Sequence, residues 1–549
     1  MAGPRSRRVS DPWLIITAAS AGIVSAPLLA VVLTALEPAG DVIGHIASTL
    51  LLRLLGNTAA LILGVGTGTL VLGVSLAWLT AVCDFPGRKL FTWALLLPMA
   101  MPTYVLAFTF IGLFDYAGPV QTYLRGASLP GLPDIRSPGG VVTVMSLALY
   151  PYVYLLARNA FRTQGRGALE AARSLGQGHL GGFLRVALPM ARPWIVSGVM
   201  LVLMETMADF GAVSIFNFDT FTTSIYKAWF GFFSLPAAAK LSLPLILLAF
   251  MAVTVERRMR ARTAFTGMGR SGDRAGHLRL GPPWRYLATV YAALVLALAF
   301  LLPAGQLLLW AGGSFADEFD ARYAGLLKNT LMLGGISAAV ICLLSLVISY
   351  AARRNTKPAV GHLARLSTLG YALPGTVLAV GVFMTVAGLD AVLHRTWSSF
   401  AGVPDGPLLQ GTMVVMILAY MVRFMAVGHS SIDSSMHRIT RSIHESARVM
   451  GVQGMGLLRR VYLPILRGGV LTAAVLVFVD VMKEMPITLM TRSFGMGTLA
   501  TKIFELTSEG EWERAALPAI TLVLTGLLPV YLLTKLSEDG RPSEKNRRR

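Results

Sequence analysis

Two apolar stretches, where a charge is expensive, hold clustered ionisable residues: Glu205 and Asp209 in one, and Asp480, Lys483 and Glu484 in the other. Shifting the chain by 275 positions aligns Glu205 with Asp480 and Asp209 with Glu484. Each acid pair is spaced i, i+4, which in a continuous helix sets both carboxylates on one face. A charge at the bilayer centre costs a few kcal/mol even on insertion scales. Such pairs suit the attraction of a passing cation or contact with gating residues. Alternatively they are structural, with Lys483 neutralising one carboxylate of its own helix and the others lying near the membrane surface. The rest of the chain offers no bond chemistry. No lysine follows a glycine, so a Gly-x-x-x-x-Gly-Lys phosphate loop is missing. The eight histidines are scattered, and Cys83 and Cys342 do not occupy matching places, so neither a metal cluster nor a disulfide framework is indicated.

The elements that carry these residues follow from composition. Of 549 residues 54% are hydrophobic and 14% charged, with mean hydropathy +0.64, against about 25% charged residues in soluble domains. Apolar runs of the roughly 20 residues needed to cross a hydrocarbon layer fall near 13–36, 56–83, 90–115, 140–162, 192–218, 238–256, 285–312, 326–352, 364–388, 408–430, 466–491 and 514–536. The expectation is an all-α polytopic membrane protein with about twelve transmembrane helices in two homologous six-helix halves. The first run is too long for a signal peptide's apolar core and reads as an uncleaved span. The net charge of +20 is no nucleic-acid signal. Lys and Arg concentrate in alternate connecting segments, the pattern that keeps loops cytoplasmic, and this places both termini inside.

A second repeat carries more information than the acids. Residues 170–189 and 445–464 agree at nine of twenty positions without a gap. The shared residues include Glu170/Glu445, Ala172/Ala447, Gly176/Gly451, Leu188/Leu463 and Pro189/Pro464, while Ala171 faces Ser446. Each block reads as a short helix, a glycine turn, and a second short helix halted by proline. Asn57-Thr58 likewise returns as Asn329-Thr330, and Pro102-x-x-Val-Leu-Ala107 as Pro374-x-x-Val-Leu-Ala379, both prolines being expected to kink their spans. Gly64-x-Gly66-x-Gly68 reads as ordinary close packing between helices. The boundaries are a first half at 1–262 with its cytoplasmic loop at 163–191, a basic linker at 263–284, and a second half at 285–549 with its loop at 434–466. Both halves have the same orientation, so the duplication is parallel.

The Glu-Ala-Ala block, with its glycine and the Leu-Pro a dozen residues on, resembles the "EAA" loop of permeases of bacterial binding-protein-dependent ABC importers. Leu-Met-Glu-Thr-Met-Ala-Asp-Phe-Gly (203–211), Phe-Val-Asp-Val-Met-Lys-Glu-Met-Pro-Ile-Thr (478–488) and Thr498-Leu-Ala-Thr501 look like the ferric-iron branch, in which the two halves are often fused. The resemblance implies a type I importer fold in the bacterial inner membrane and a coupling role for Glu170, Ala171, Ala172, Gly176, Leu188, Pro189 and their counterparts Glu445, Ser446, Ala447, Gly451, Leu463 and Pro464. It also implies two copies of an ABC ATPase that hold the ATP and Mg, a solute-binding protein, no cofactor on this chain, and Fe3+ as cargo. Importers of thiamine, phosphonate or polyamines have related architectures. An ion-gradient secondary transporter is the rival from another class.

Overall fold

The computed structural model describes residues 12–539 except 39, 175, 177, 264–276, 355–356, 398–406, 438 and 453. Most of the basic linker expected at 263–284 therefore lies outside the described residues. The chain is almost wholly helical, with eleven helices among the described residues long and apolar enough to cross a membrane. A twelfth long helix, Trp512–Asp539, stands where the last span was expected. Four of the expected spans are not continuous: those at 192–218 and 466–491 break at Asp209 and Glu484, and two more are interrupted before a proline. The run at 90–115 consists of the helix Arg88–Ala94, a tight turn Leu97–Ala100 and the helix Thr103–Phe114. That at 364–388 repeats the arrangement as Pro358–Leu366, Leu369–Ala372 and Gly375–Trp397.

Proline explains these two interruptions. Pro102 and Pro374 do not kink a running helix; each directly precedes a new one, where the missing N–H is no loss. The carbonyls freed upstream are met by side chains from neighbouring spans, as a water-poor surrounding demands. The Tyr154 and Tyr150 hydroxyls donate to the carbonyls of Thr92 and Leu95, each at 3.0 Å. In the second repeat Arg423 Nη1 donates to the Leu373 carbonyl at 2.9 Å.

The helices pack into two compact units that do not follow chain order. One unit contains Met1–Pro38 and Gly325–Thr498, the other Ala39–Ala324 and Leu499–Arg549. In the second of these, the second span (Leu51–Val82) packs along the fourth (Pro138–Ser174), with Gly64 and Gly68 set against Val142 and Ser146. The fourth span in turn packs on the fifth (Leu188–Ala208), and the seventh (Pro282–Glu318) on the twelfth. Asn57 donates to the Asp219 carbonyl at 2.8 Å and so holds the loop beyond the fifth span to the start of the second.

In the other unit Asn329 does the same work, donating to the Gly497 carbonyl at 3.0 Å beyond the eleventh span, Leu463–Lys483. The tenth span (Met413–Met436) packs on the eleventh. The first span (Pro12–Ala35) lies along the ninth (Gly375–Trp397) and on the short helix Pro358–Leu366. The repeat and the packing thus partition the chain differently: the opening helix of the first half is seated among helices of the second. Its seat needs a glycine, because a β-carbon on Gly381 would lie 2.4 Å from the Pro27 carbonyl oxygen. Gly388, on the same ninth span, faces open space. Gly381→Ala is therefore expected to destabilise the chain by about 1–3 kcal/mol and to lower its thermal unfolding midpoint in detergent. Gly388→Ala leaves that midpoint unchanged or raised.

Candidate functional site

The two repeated blocks fold identically, element for element, at the offset of 275. A helix ends at Ser174 or Val449, Gly176 or Gly451 turns the chain at φ +78, and a single helical turn follows at His179–Gly182 or Gly454–Leu457. A wide five-residue turn, Phe183–Ala187 or Leu458–Tyr462, then runs straight into the fifth or eleventh span. That φ is left-handed and costs any residue with a β-carbon about 1–2 kcal/mol, which accounts for glycine at both places. Around Gly451 the turn closes as a Schellman cap, Val452 N–H donating to the Ala447 carbonyl at 2.9 Å.

Pro189 and Pro464 do not halt the second short helix. Each sits in the first turn of the following span, and the wide turn before it spares the hydrogen bond a proline cannot make. The end of each loop and the span that follows it are thereby one continuous rod. Leu188 and Pro189 are half-buried, whereas Leu463 and Pro464 are exposed.

The Glu-Ala-Ala triplet divides by burial. Ala172 and Ala447 are buried, at 5% and 0% exposure, and Ala447 joins a cluster with Tyr350, Met436, Ile439, Leu457 and Tyr462. Only a small side chain lets the helix lie so close. Glu445 and Ser446 are exposed, so a serine for the middle alanine costs no packing. Glu170 and Ala171 lie on the helix Pro138–Ser174, but their side chains fall outside the described set.

The loops differ in how they are mounted. In the first, the motif helix is the end of the fourth span, one helix of 37 residues and about 55 Å. In the second, the tenth span ends at Met436 and the motif helix, Arg441–Val449, is separate. There Arg353 donates to the Ile439 carbonyl across the gap.

The intramembrane acids are brought to matching places, but not as helical faces. Asp209 and Glu484 each follow the last residue of their helix, with extended ψ values of 128 and 114, so the i, i+4 geometry is lost. Glu205, Asp480 and Lys483 remain on the helices, half-buried. The Asp209 carboxylate accepts from Ala212 and Val213 N–H at 2.9 and 3.2 Å, capping the short helix Gly211–Ile215. It also accepts from the Thr103 hydroxyl at 2.5 Å, at the first residue after the Pro102 break.

Glu484 does the corresponding work with a cation. Its Oε2 lies 3.2 Å from Arg423 Nε, and its Oε1 accepts from Ile487 N–H at 3.3 Å in the short helix Pro486–Thr491. Arg423 is the group that also satisfies Leu373 at the other break. The Thr488 hydroxyl donates to the Glu484 carbonyl at 2.5 Å and shares a 2.6 Å hydrogen bond with Tyr420. Each acid therefore fastens the end of a long span to the discontinuity in a neighbouring one. Thr103 and Arg423 were not foreseen as site residues. A lone arginine inside the apolar run 408–430 was the available signal for Arg423; a threonine after a proline carries none. Among the described residues, no group of three or more His, Cys, Asp or Glu side chains could hold a metal ion.

Residues 69–261, covering the first of these loops and Asp209, match the family described as the binding-protein-dependent transport system inner membrane component. The chain is a fused permease of this type. The permease is 27% identical over 487 residues to an Fe(3+)-transport system permease protein of Haemophilus influenzae, covering 88% of this chain and 90% of that one. It is 21% identical over 412 residues to a ferric transport system permease protein of Actinobacillus pleuropneumoniae, covering 70% of this chain and 57% of the relative. A shorter match, 31% over 146 residues, links 26% of it to half of a sulfate transport system permease protein of Salmonella typhimurium.

Arg423 and Glu484 are nearly enclosed, with side chains 11% and 7% exposed. Removing one member of such a pair strands the other, at a cost of about 3–5 kcal/mol. Glu484→Ala is expected to fall in that range by thermal or denaturant unfolding in detergent, and half-buried Glu205→Ala well below it. Arg423→Met with Glu484→Met recovers part of the loss, the remainder reflecting the unsatisfied Leu373 carbonyl.

Proposed function

We propose that this permease is the translocating subunit of an ATP-driven importer for ferric iron in a bacterial inner membrane, with both termini cytoplasmic. Residues 1–262 and 285–549 act as its two halves, joined by 263–284. A solute-binding protein delivers the cargo outside. Two copies of an ABC ATPase bind inside, one at the loop containing Glu170, Gly176 and Pro189 and one at that containing Glu445, Gly451 and Pro464. The ATP and Mg belong to those subunits; this chain binds no cofactor and catalyses no reaction. Closure of the ATPases draws on the loops, and the fifth and eleventh spans carry that motion to Asp209 and Glu484, where the helix breaks let the halves alternate access. Glu205, Asp480 and Lys483, on the same helices, border the path.

The observation that carries this reading is the repeated loop, turned at Gly176 and Gly451 with one geometry and continuous with a membrane-crossing helix each time. The ferric assignment is supported by two relatives that align with most of this chain, an Fe(3+)-transport and a ferric transport system permease protein. In the test, the permease is reconstituted with its ATPase and with candidate binding proteins, and ATP hydrolysis is measured. A ferric-loaded protein is expected to stimulate hydrolysis several-fold, and Glu170→Ala with Glu445→Ala to abolish both stimulation and co-purification of the ATPase. Stimulation by a thiamine- or phosphonate-loaded protein alone overturns the substrate. Gradient-driven uptake by the permease without an ATPase overturns the mechanism.

A further inference from the structure

The short helix Arg88–Ala94 and the start of the seventh span meet at a junction with no part in the coupling loops or acid clamps. Three contacts build it. Cys83–Asp84 pairs in parallel with Leu278–Arg279, the Thr289 hydroxyl donates to the Pro86 carbonyl at 3.1 Å, and the short helix packs on the span. Its surface combines aromatic and basic side chains. Trp284 and Tyr286 are 67% and 57% exposed, and Leu90, Trp93, Leu287 and Val290 are exposed beside them. Lys89, Arg279 and Arg285 are exposed in the same segments. The Arg285 guanidinium stands over the Tyr286 ring, 4.8 Å from its centre. The nearby acid, Asp84, faces Arg88 at 3.8 Å, so its charge is offset.

The corresponding junction in the other unit has a different surface. There Pro358–Leu366 packs on the first span, and Trp13 turns inward, edge-on to Tyr350 with ring centres 5.0 Å apart. Exposed Trp284 and Tyr286 are therefore not a requirement of the architecture. Aromatic rings at the level of the head groups, with basic residues clustered beside the end of a span, match a lipid that presents acyl chains and a phosphate together. A soluble anion would use the bases and leave the rings without purpose.

We propose that this junction binds the head group of an anionic phospholipid, with Lys89, Arg279 and Arg285 facing the phosphate and Trp93, Trp284 and Tyr286 flanking the glycerol and upper acyl chains. The assignment needs only that the chain lies in a bilayer, and it stands or falls independently of the ATPase and the cargo. In the test, the full-length detergent-solubilised chain is titrated with phosphatidylglycerol or phosphatidylcholine and bound lipid is counted by native mass spectrometry. Wild type is expected to prefer phosphatidylglycerol by about tenfold or more, three basic groups each adding to the attraction. The variant Lys89→Gln, Arg279→Gln, Arg285→Gln brings that preference within about twofold, and Arg285→Glu alone reduces it in part, while Arg257→Gln with Arg258→Gln, two exposed residues on the helix Leu235–Thr263, leaves it intact. Equal retention of the two lipids by wild type, an unchanged preference in the triple variant and in Arg285→Glu, or full displacement by millimolar inorganic phosphate overturns the proposal.

Discussion

A backbone that breaks inside hydrocarbon must find every lost hydrogen bond within the protein, and this permease meets that condition four times. Two long spans end at Asp209 and Glu484, and two runs are interrupted before Pro102 and Pro374. The solution is economical: one end of a broken helix is tied to another. Asp209 reaches the residue after Pro102 through Thr103, and Glu484 reaches the residue before Pro374 through Arg423. Because each tie serves two breaks, neither can be undone without exposing polar groups in both.

The two ties are chemically unequal. A neutral hydroxyl answers Asp209, while an enclosed guanidinium answers Glu484. An enclosed ion pair is costly to split, because removing one member strands the other charge away from water. The repeated loops are unequal too, one carried on the end of its span and the other mounted on a separate helix. The unit with the stronger clamp is the one with the articulated loop. The duplicated sequence has thus kept its geometry at the glycine turns and diverged in what braces them.

Much of this was legible in the sequence. The loops were readable because a glycine that must adopt positive φ and a small residue that must pack closely cannot be replaced freely, so Gly176, Gly451, Ala172 and Ala447 mark their positions by type alone. The spans were readable from hydropathy. The ends of the acid-bearing helices were not: periodicity continues through Asp209 and Glu484, and only the tertiary capping of the next short helix decides that the chain turns there. Pro189 and Pro464 misled for a related reason, since a proline that stops one helix and one that starts the next look alike without the preceding wide turn. Pairing of the first span with the ninth left no trace in local pattern, because a lipid-facing helix looks the same whichever neighbour it leans on.

That pairing bears on how the molecule is made. The helix Pro12–Ala35 is completed by Gly381, more than three hundred residues downstream, and the cluster that includes the seventh span is joined only much later by Trp512–Asp539. Insertion must therefore hold an early helix in the bilayer, unpaired, while most of the chain is still being synthesised. Joining the two halves in one polypeptide keeps that waiting helix beside the partner it was built to meet.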